Sequence, residues 1–213
     1  MLDRGVARRV RHHVNPLRSP FWARQGPATL ELPRDRDVEA ELGCADARFL
    51  FERAPLHPRT YFLGLEIREP LVEEVNEKAS AAGLDNLRAV FCNINVDLPT
   101  LVPDASLARV FVNFPDPWFK RRHQKRRLMN DELVEVLHRK LRNDGELFFQ
   151  SDVFDLALDA MAVLEDVPDR FANSAGPWSF VRDNSYGARS LREVRCEERQ
   201  MRIWRMCYRR VGA

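Results

Sequence analysis

Tyr61–Ile67 (YFLGLEI) is a nearly continuous apolar run, about one strand in length. A strand with one wet face alternates apolar and polar residues. An unbroken run instead suits a strand covered on both faces, as in parallel sheets flanked by helices. The flanking sequence repeats the arrangement. Val38–Gly43 reads as a strand before it, and Phe49, Leu50 and Ala54 form a helical stripe between the two. After it, Pro70 suits a first helical turn, Leu71, Val75 and Ala79 recur at four-residue spacing, and Gly83 can end the helix. Asn86–Cys92 and Leu107–Phe114 read as a third and a fourth strand. Asn130 caps a helix with Leu133, Val134, Leu137 and Leu141 inward, acids in its first turn and bases in its last. Glu146–Ser151 is a fifth strand, and Phe154, Leu158 and Met161 share one face of a further helix. Gln200–Tyr208 reads as a strand paired antiparallel on the sheet edge. Strands alternating with helices predict an α/β fold: a doubly wound, mostly parallel sheet with helices on both faces.

The 213 residues suffice for one domain with a sizeable core. Residues 1–36, broken by Pro16, Pro20, Pro27 and Pro33, read as an irregular basic arm ahead of a domain over 37–213. No apolar stretch approaches transmembrane length, and MLDRGVARRVRHHV has no apolar segment of the secretory kind, so the expected location is cytoplasmic and off the membrane. Cys44, Cys92, Cys196 and Cys207 stand apart with no C-x-x-C pair, which argues against a zinc cage or a disulfide framework. The formal net charge of +2 conceals an uneven division. Residues 1–25 carry +5, residues 120–127 carry +6 and residues 182–213 carry +5, leaving an acidic body between basic edges. That division suits a polyanionic partner.

In a doubly wound sheet, ligands sit beyond the carboxyl ends of the strands. The first strand ends in Glu41-Leu42-Gly43-Cys44-Ala45-Asp46-Ala47, the second at Glu66 and the third at Asn93. A carboxylate there can accept from ribose hydroxyls and an Asn can bond a purine edge, so the three sketch a nucleoside-shaped site. The fourth strand runs into Asn113-Phe114-Pro115-Asp116-Pro117-Trp118-Phe119-Lys120 and then Arg121-Arg122-His123-Gln124-Lys125-Arg126-Arg127. Two prolines fix the backbone around Asp116. Trp118 and Phe119 offer flat surfaces for a base or ribose, and the basic run offers phosphate contacts.

Phe114–Arg127 closely resembles the signature F-P-D-P-W-x-K-x-R-H-x-K-R-R of the bacterial tRNA (guanine-N7)-methyltransferase family, and the likeness extends from about Val38 to Tyr208. The resemblance implies a class I S-adenosylmethionine-dependent fold of seven strands, the last antiparallel. It further implies methylation of guanine N7 in tRNA, at guanine 46 of the variable loop. Carried over residue by residue, Glu41 and Gly43 belong to the first cofactor motif, Glu66 to the ribose, Asn93 to the adenine, and Asp116 to both cofactor and catalysis. Lys120, Asp152 and the stretch Ser190-Leu191-Arg192-Glu193, which is similar to a T-x-x-E motif, match substrate positions. Arg121, Arg122, His123, Lys125, Arg126 and Arg127 are the expected tRNA contacts. The sequence departs from the family at Ala45 and Ala47, where glycines are usual, at Asn93 for Asp, and at Ser190 for Thr.

Guanine N7 already carries a lone pair, so methyl transfer to it requires positioning and electrostatics rather than a base, a metal or a covalent intermediate. Asp116 would offset the positive charge that develops on the ring. A second reading is a non-catalytic tRNA-binding protein on a decayed methyltransferase fold, supported by Ala45 and Ala47. A third, a methyltransferase for a protein or small molecule, leaves residues 120–127 unexplained. The sequence leaves the oligomeric state open, with a monomer favoured over an oligomer.

Overall fold

The computed structural model describes residues 14–16 and 28–212; most of the predicted basic arm, and Arg4, Arg8, Arg9, Arg11, His12, His13, Arg18 and Arg24 within it, lies outside the described residues. Seven strands form one sheet: β1 (Val38–Leu42), β2 (Tyr61–Glu66), β3 (Leu87–Phe91), β4 (Leu107–Asn113), β5 (Leu141–Ser151), β6 (Phe171–Asn173) and β7 (Trp204–Arg210). Their spatial order is β3-β2-β1-β4-β5-β7-β6. The first five are mutually parallel, and β7 runs antiparallel to both β5 and β6. Helices α1 (Arg48–Arg53), α2 (Glu69–Ala81), α3 (Ile94–Leu101), α4 (Asp131–Lys140), α5 (Phe154–Glu165) and α6 (Leu191–Glu198) fill the connections.

β1 and β2 are buried almost along their whole length, which is why their sequences read apolar without alternation. One core joins β1, β2, β4 and β5 to α3, α4 and α5 through residues such as Leu63, Val110, Leu137 and Met161. A second, on the other face, packs Phe49, Phe62, Val75, Phe111 and Phe148. Asn130 caps α4 by accepting from the Leu133 N–H at 2.8 Å, with Asp131 and Glu132 in the first turn and His138, Arg139 and Lys140 in the last.

Several expectations are corrected. β7 is antiparallel but lies inside the sheet; the short strand β6, with only three residues to signal it, takes the edge. In α5 the inward residues are Leu156, Ala157, Ala160, Met161 and Leu164, whereas Phe154 and Leu158 are exposed. Leu71 is only half-buried, and Val72 joins Val75 and Ala79 inside. Leu141 follows α4 rather than belonging to it, and opens β5 against Leu107. α3 was hidden by Pro99 in its own sequence, and α6 by its exposed arginines.

The sheet order reverses direction between β1 and β4, which diverge toward α1 and α4. Beyond their carboxyl ends lies a cavity of about 500 Å³.

Candidate functional site

Glu41 sits near the end of β1 and is buried. Its Oε1 accepts from Asn113 Nδ2 at 2.7 Å, and its Oε2 is buried with no hydrogen-bond partner among the described residues. Burial pushes its carboxyl up to about 8, with Asp46 and Glu66 adding to the effect. A buried carboxylate with one unserved oxygen on a cavity wall is short of a cation or a donor. The loop after it turns sharply. Gly43, Ala45 and Ala47 have φ of 78°, 52° and 53°, so both alanines hold the left-handed conformation that glycine would take freely. The turn brings the Ala45 N–H to Glu66 Oε2 at 3.0 Å.

Glu66 ends β2 in the same cavity. Arg68 grips it: the guanidinium donates Nε to Oε1 at 2.8 Å and Nη2 to Oε2 at 2.9 Å, and the Arg68 backbone N–H adds 2.9 Å to Oε1. That pairing raises the Arg68 guanidinium further above its ordinary value. Arg68 escaped the sequence reading because it lies one residue past the apolar run. Asn93 lines the cavity too, but its side chain is committed locally. Oδ1 caps α3 by accepting from the Asn95 N–H at 3.2 Å, and Nδ2 donates to the Pro16 carbonyl at 2.8 Å.

β4 runs into the turn that holds Asp116. Phe114 and Trp118 bracket it with φ of 51° and 44°, a costly backbone for two aromatic residues and one fixed by the prolines between them. Asp116 is half-buried on the cavity wall. The following 3₁₀ turn, Arg121–Arg126, presents its cations unequally. Lys120, Arg122 and Lys125 are exposed, whereas Arg126 lies 4.9 Å over the Trp118 ring and lines the cavity. Arg127 is turned inward: it donates Nε to the Pro117 carbonyl at 3.0 Å and pairs with Asp159, so it braces the turn against α5. Desolvation and the neighbouring Arg126, Arg122 and Lys120 cations push the His123 imidazole down. Of Arg121 only the backbone is described.

Ser190 caps α6 by accepting from the Glu193 N–H at 3.2 Å, and Leu191 and Arg192 face the cavity. Arg192 pairs with Asp152, which follows β5. Glu193 behaves differently from its neighbours. It is 0% exposed and accepts from Gln150 Nε2 at 2.9 Å, Asn184 Nδ2 at 3.0 Å and Arg205 Nη2 at 3.0 Å. Gln150 Nε2 also donates to Asn113 Oδ1 at 2.9 Å, so a polar chain runs from Glu193 through Gln150 and Asn113 to Glu41. Sequence reasoning missed Asn113, Gln150 and Arg205; the available signal was an amide at the end of each of two otherwise apolar strands.

A family described as "Putative methyltransferase" matches residues 35–206. The chain is 38% identical to the tRNA (guanine-N(7)-)-methyltransferase of Synechococcus elongatus, over 96% of this chain and 98% of that one. It is 37% identical to the protein of the same name from Synechococcus sp. (strain JA-3-3Ab), over 96% and 86% of the two chains. This chain belongs to the tRNA (guanine-N7)-methyltransferase family. Among solved structures, a SAM-dependent methyltransferase from Aquifex aeolicus superposes with a TM-score of 0.56 at 13% identity, covering 84% of this chain and 85% of that one. That likeness concerns the fold, which is the class I methyltransferase sheet with its antiparallel β7. Among the described residues no three His, Cys, Asp or Glu side chains converge as a metal site, and no helix is long and apolar enough to cross a membrane.

Proposed function

We propose that this protein transfers the methyl group of S-adenosylmethionine to N7 of a guanine in tRNA, with guanine 46 of the variable loop as the target. The observation that carries the reading is the shared cavity wall: Glu41 with its unserved buried oxygen, Glu66 and Asp116 all face one space of about 500 Å³. The donor set fits the cofactor. Glu41 Oε2 would accept from the methionine ammonium, and Glu66 would accept from the ribose hydroxyls with Arg68 yielding part of its grip. Asn93 stands at the adenine end, where its hydrogen bonds to Pro16 and Asn95 leave it a packing surface more than a donor. When bound, S-adenosylmethionine supplies an electrophilic methyl group on a sulfonium.

Asp116 acts on the other reactant. Held between Phe114 and Trp118, its carboxylate is placed to accept from the N–H edge of guanine and so orient N7. As positive charge builds on the ring, that fixed anion stabilises it without having to reorganise. The Asp152–Arg192 pair borders the space and would hold the base or its ribose, with Lys120, Arg122, Lys125 and Arg126 supplying phosphate contacts. Arg127 and Glu193 act from behind this surface, on the turn and on α6, and His123 lies beside Trp118 within it. The protein works as a cytoplasmic monomer, with residues 1–36 as an additional basic tRNA contact and residues 37–213 as the catalytic domain.

The non-catalytic reading rested on crowding by Ala45 and Ala47. Both follow the left-handed course a glycine would take; Ala45 lines the cavity, and Ala47 is buried in the core away from it. The deciding experiment is methylation of tRNA by the protein and its Asp116→Ala variant, with 7-methylguanosine located by borohydride and aniline cleavage. We expect cleavage at guanine 46, and a variant that binds tRNA within a few-fold of the parent but turns over at least about 100-fold more slowly. Undiminished turnover in Asp116→Ala would reject the assignment.

A further inference from the structure

Helix α6 carries a row of arginines along one side. Arg192, Arg195 and Arg199, spaced three and four residues apart, share a side, while Glu193 and Cys196 are buried on another. Arg192 and Arg195 line the cavity mouth, so the row begins at the site itself. It continues past the helix: the Arg202 guanidinium lies 3.9 Å over the Trp204 ring. Trp204 packs against Phe154 at 4.5 Å and Phe180 at 5.0 Å between ring centroids, and Phe154 remains 43% exposed.

This cluster has a fixed place. Trp204 pairs with Ser151 in the β5–β7 register, and Asp152 is the next residue of the chain. The arginine row and the aromatic cluster therefore flank the same edge of the sheet as Asp152 and the cavity. Of the nearby acids, Asp152 is engaged by Arg192, Glu193 is inside and Glu197 pairs with Arg189 at 2.9 Å, while Glu198 is exposed next to Arg199 and offsets one of the row's charges. Among the described residues Arg195, Arg199 and Arg202 have no carboxylate ion-pair partner. Three guanidinium groups without an ion pair beside an exposed aromatic surface, contiguous with a site that takes a nucleotide, match the chemistry of an RNA strand.

We propose that Arg195, Arg199 and Arg202, with the Phe154–Phe180–Trp204 cluster, form a second RNA-binding track that carries the tRNA backbone away from the cavity along the β5–β7 side. The arginines bind phosphates, and Phe154 offers its face to a base or ribose next to the methylated nucleotide. The track rests on the tRNA reading above and extends it to residues outside the Arg121–Arg127 segment.

The test compares the parent protein with R195Q/R199Q/R202Q, with R199Q/R202Q, and with Phe154→Ala and Phe154→Trp. All four alter exposed or rim side chains, and thermal melts confirm that each folds. The readouts are tRNA binding by fluorescence anisotropy from low to high salt, and S-adenosylmethionine binding by calorimetry. The triple variant should lose at least tenfold in tRNA affinity and about two to three units of the log K against log salt slope, since each of the three lost phosphate contacts removes about 0.7–0.9. The R199Q/R202Q variant should lose part of both while binding the cofactor within twofold of the parent. Phe154→Ala should weaken tRNA binding severalfold with the salt slope unchanged, and Phe154→Trp should restore it. Parent-like affinity and slope in the triple variant, with the parent still forming 7-methylguanosine, would overturn the track alone. A parent that binds tRNA through these arginines but forms no 7-methylguanosine would overturn the function and leave the track standing.

Discussion

Asn113 donates its amide to Oε1 of Glu41 across the β1–β4 junction, 2.7 Å away, and leaves the buried Oε2 of that carboxylate without a hydrogen-bond partner among the described residues. The amide is itself held, because its Oδ1 accepts from Gln150, which in turn donates to Glu193. One oxygen of Glu41 is thereby fixed by the sheet and the other is kept available for a ligand. Glu193, 0% exposed, contributes from the far end of the chain of contacts.

This arrangement predicts a proton linked to cofactor binding. Glu41 titrates near 8 in the folded protein, against 4.5 for a free carboxyl, because burial disfavours its charged form. Between those values the folded chain holds a proton that the unfolded chain has released, so unliganded stability should fall as pH rises through that window. A ligand ammonium at Oε2 favours the ionised form and should expel the proton. Calorimetry of S-adenosylmethionine binding at pH 7, in buffers of different ionisation enthalpy, should show proton release, and Glu41→Gln should abolish it and weaken binding. Identical proton release in Glu41→Gln would place the titrating group elsewhere.

Glu193 separates a structural carboxylate from a substrate contact. Removing it leaves the Arg205 guanidinium buried without its carboxylate, at a cost of about 3–5 kcal/mol. Glu193→Ala should therefore melt about 6–20 °C below the parent, given roughly 2–4 °C per kcal/mol at this chain length. A residue that served only to contact tRNA would leave the melting temperature where it was.

The fold was readable wherever burial alone shaped the sequence. β2, covered on both faces, shows an unbroken apolar run, and α4 shows an inward stripe, an Asn cap and charges matched to its dipole. β6 and α6 were not readable, because their stability is tertiary: β6 is three residues added to β7, and α6 is held by Glu193 and Cys196 beneath a polar face. The site divides in the same way. Glu41, Glu66 and Asp116 stand out as charges at the ends of apolar strands. The inward turn of Glu193 and Arg127 depends on partners from distant strands and helices, Arg205 and Asp159, which no local spacing reveals.

Phe119 is 72% exposed beside Trp118, whose ring is already covered by Arg126. A side chain so exposed packs against little of its own protein, so its loss should cost the fold almost nothing. Phe119→Ala should keep the parent melting temperature and cofactor affinity while raising the KM for tRNA severalfold. Phe119→Tyr, which keeps a stacking face, should behave as the parent. Steady-state methylation at varied tRNA concentration measures both, and an unchanged KM in Phe119→Ala would remove this residue from the RNA surface.

Ala45 and Ala47 hold φ of 52° and 53° in the loop after β1, a backbone that glycine adopts freely. An L-residue in this region costs about 1–2 kcal/mol, and a glycine there gives back about 0.5–1 kcal/mol in unfolded-chain entropy. Ala45 is half-buried, so Ala45→Gly should gain about 0.5–1 kcal/mol, a rise of roughly 1–4 °C in melting temperature. Ala47 is fully buried, and losing its methyl costs about 0.8 kcal/mol, which cancels the gain. The two substitutions should thus differ: a clear rise for Ala45→Gly and almost none for Ala47→Gly. The Ala45 N–H still reaches Glu66 in either variant, so cofactor affinity should hold within about threefold; a tenfold change would mean that the methyl at 45 itself shapes the ribose end of the cavity.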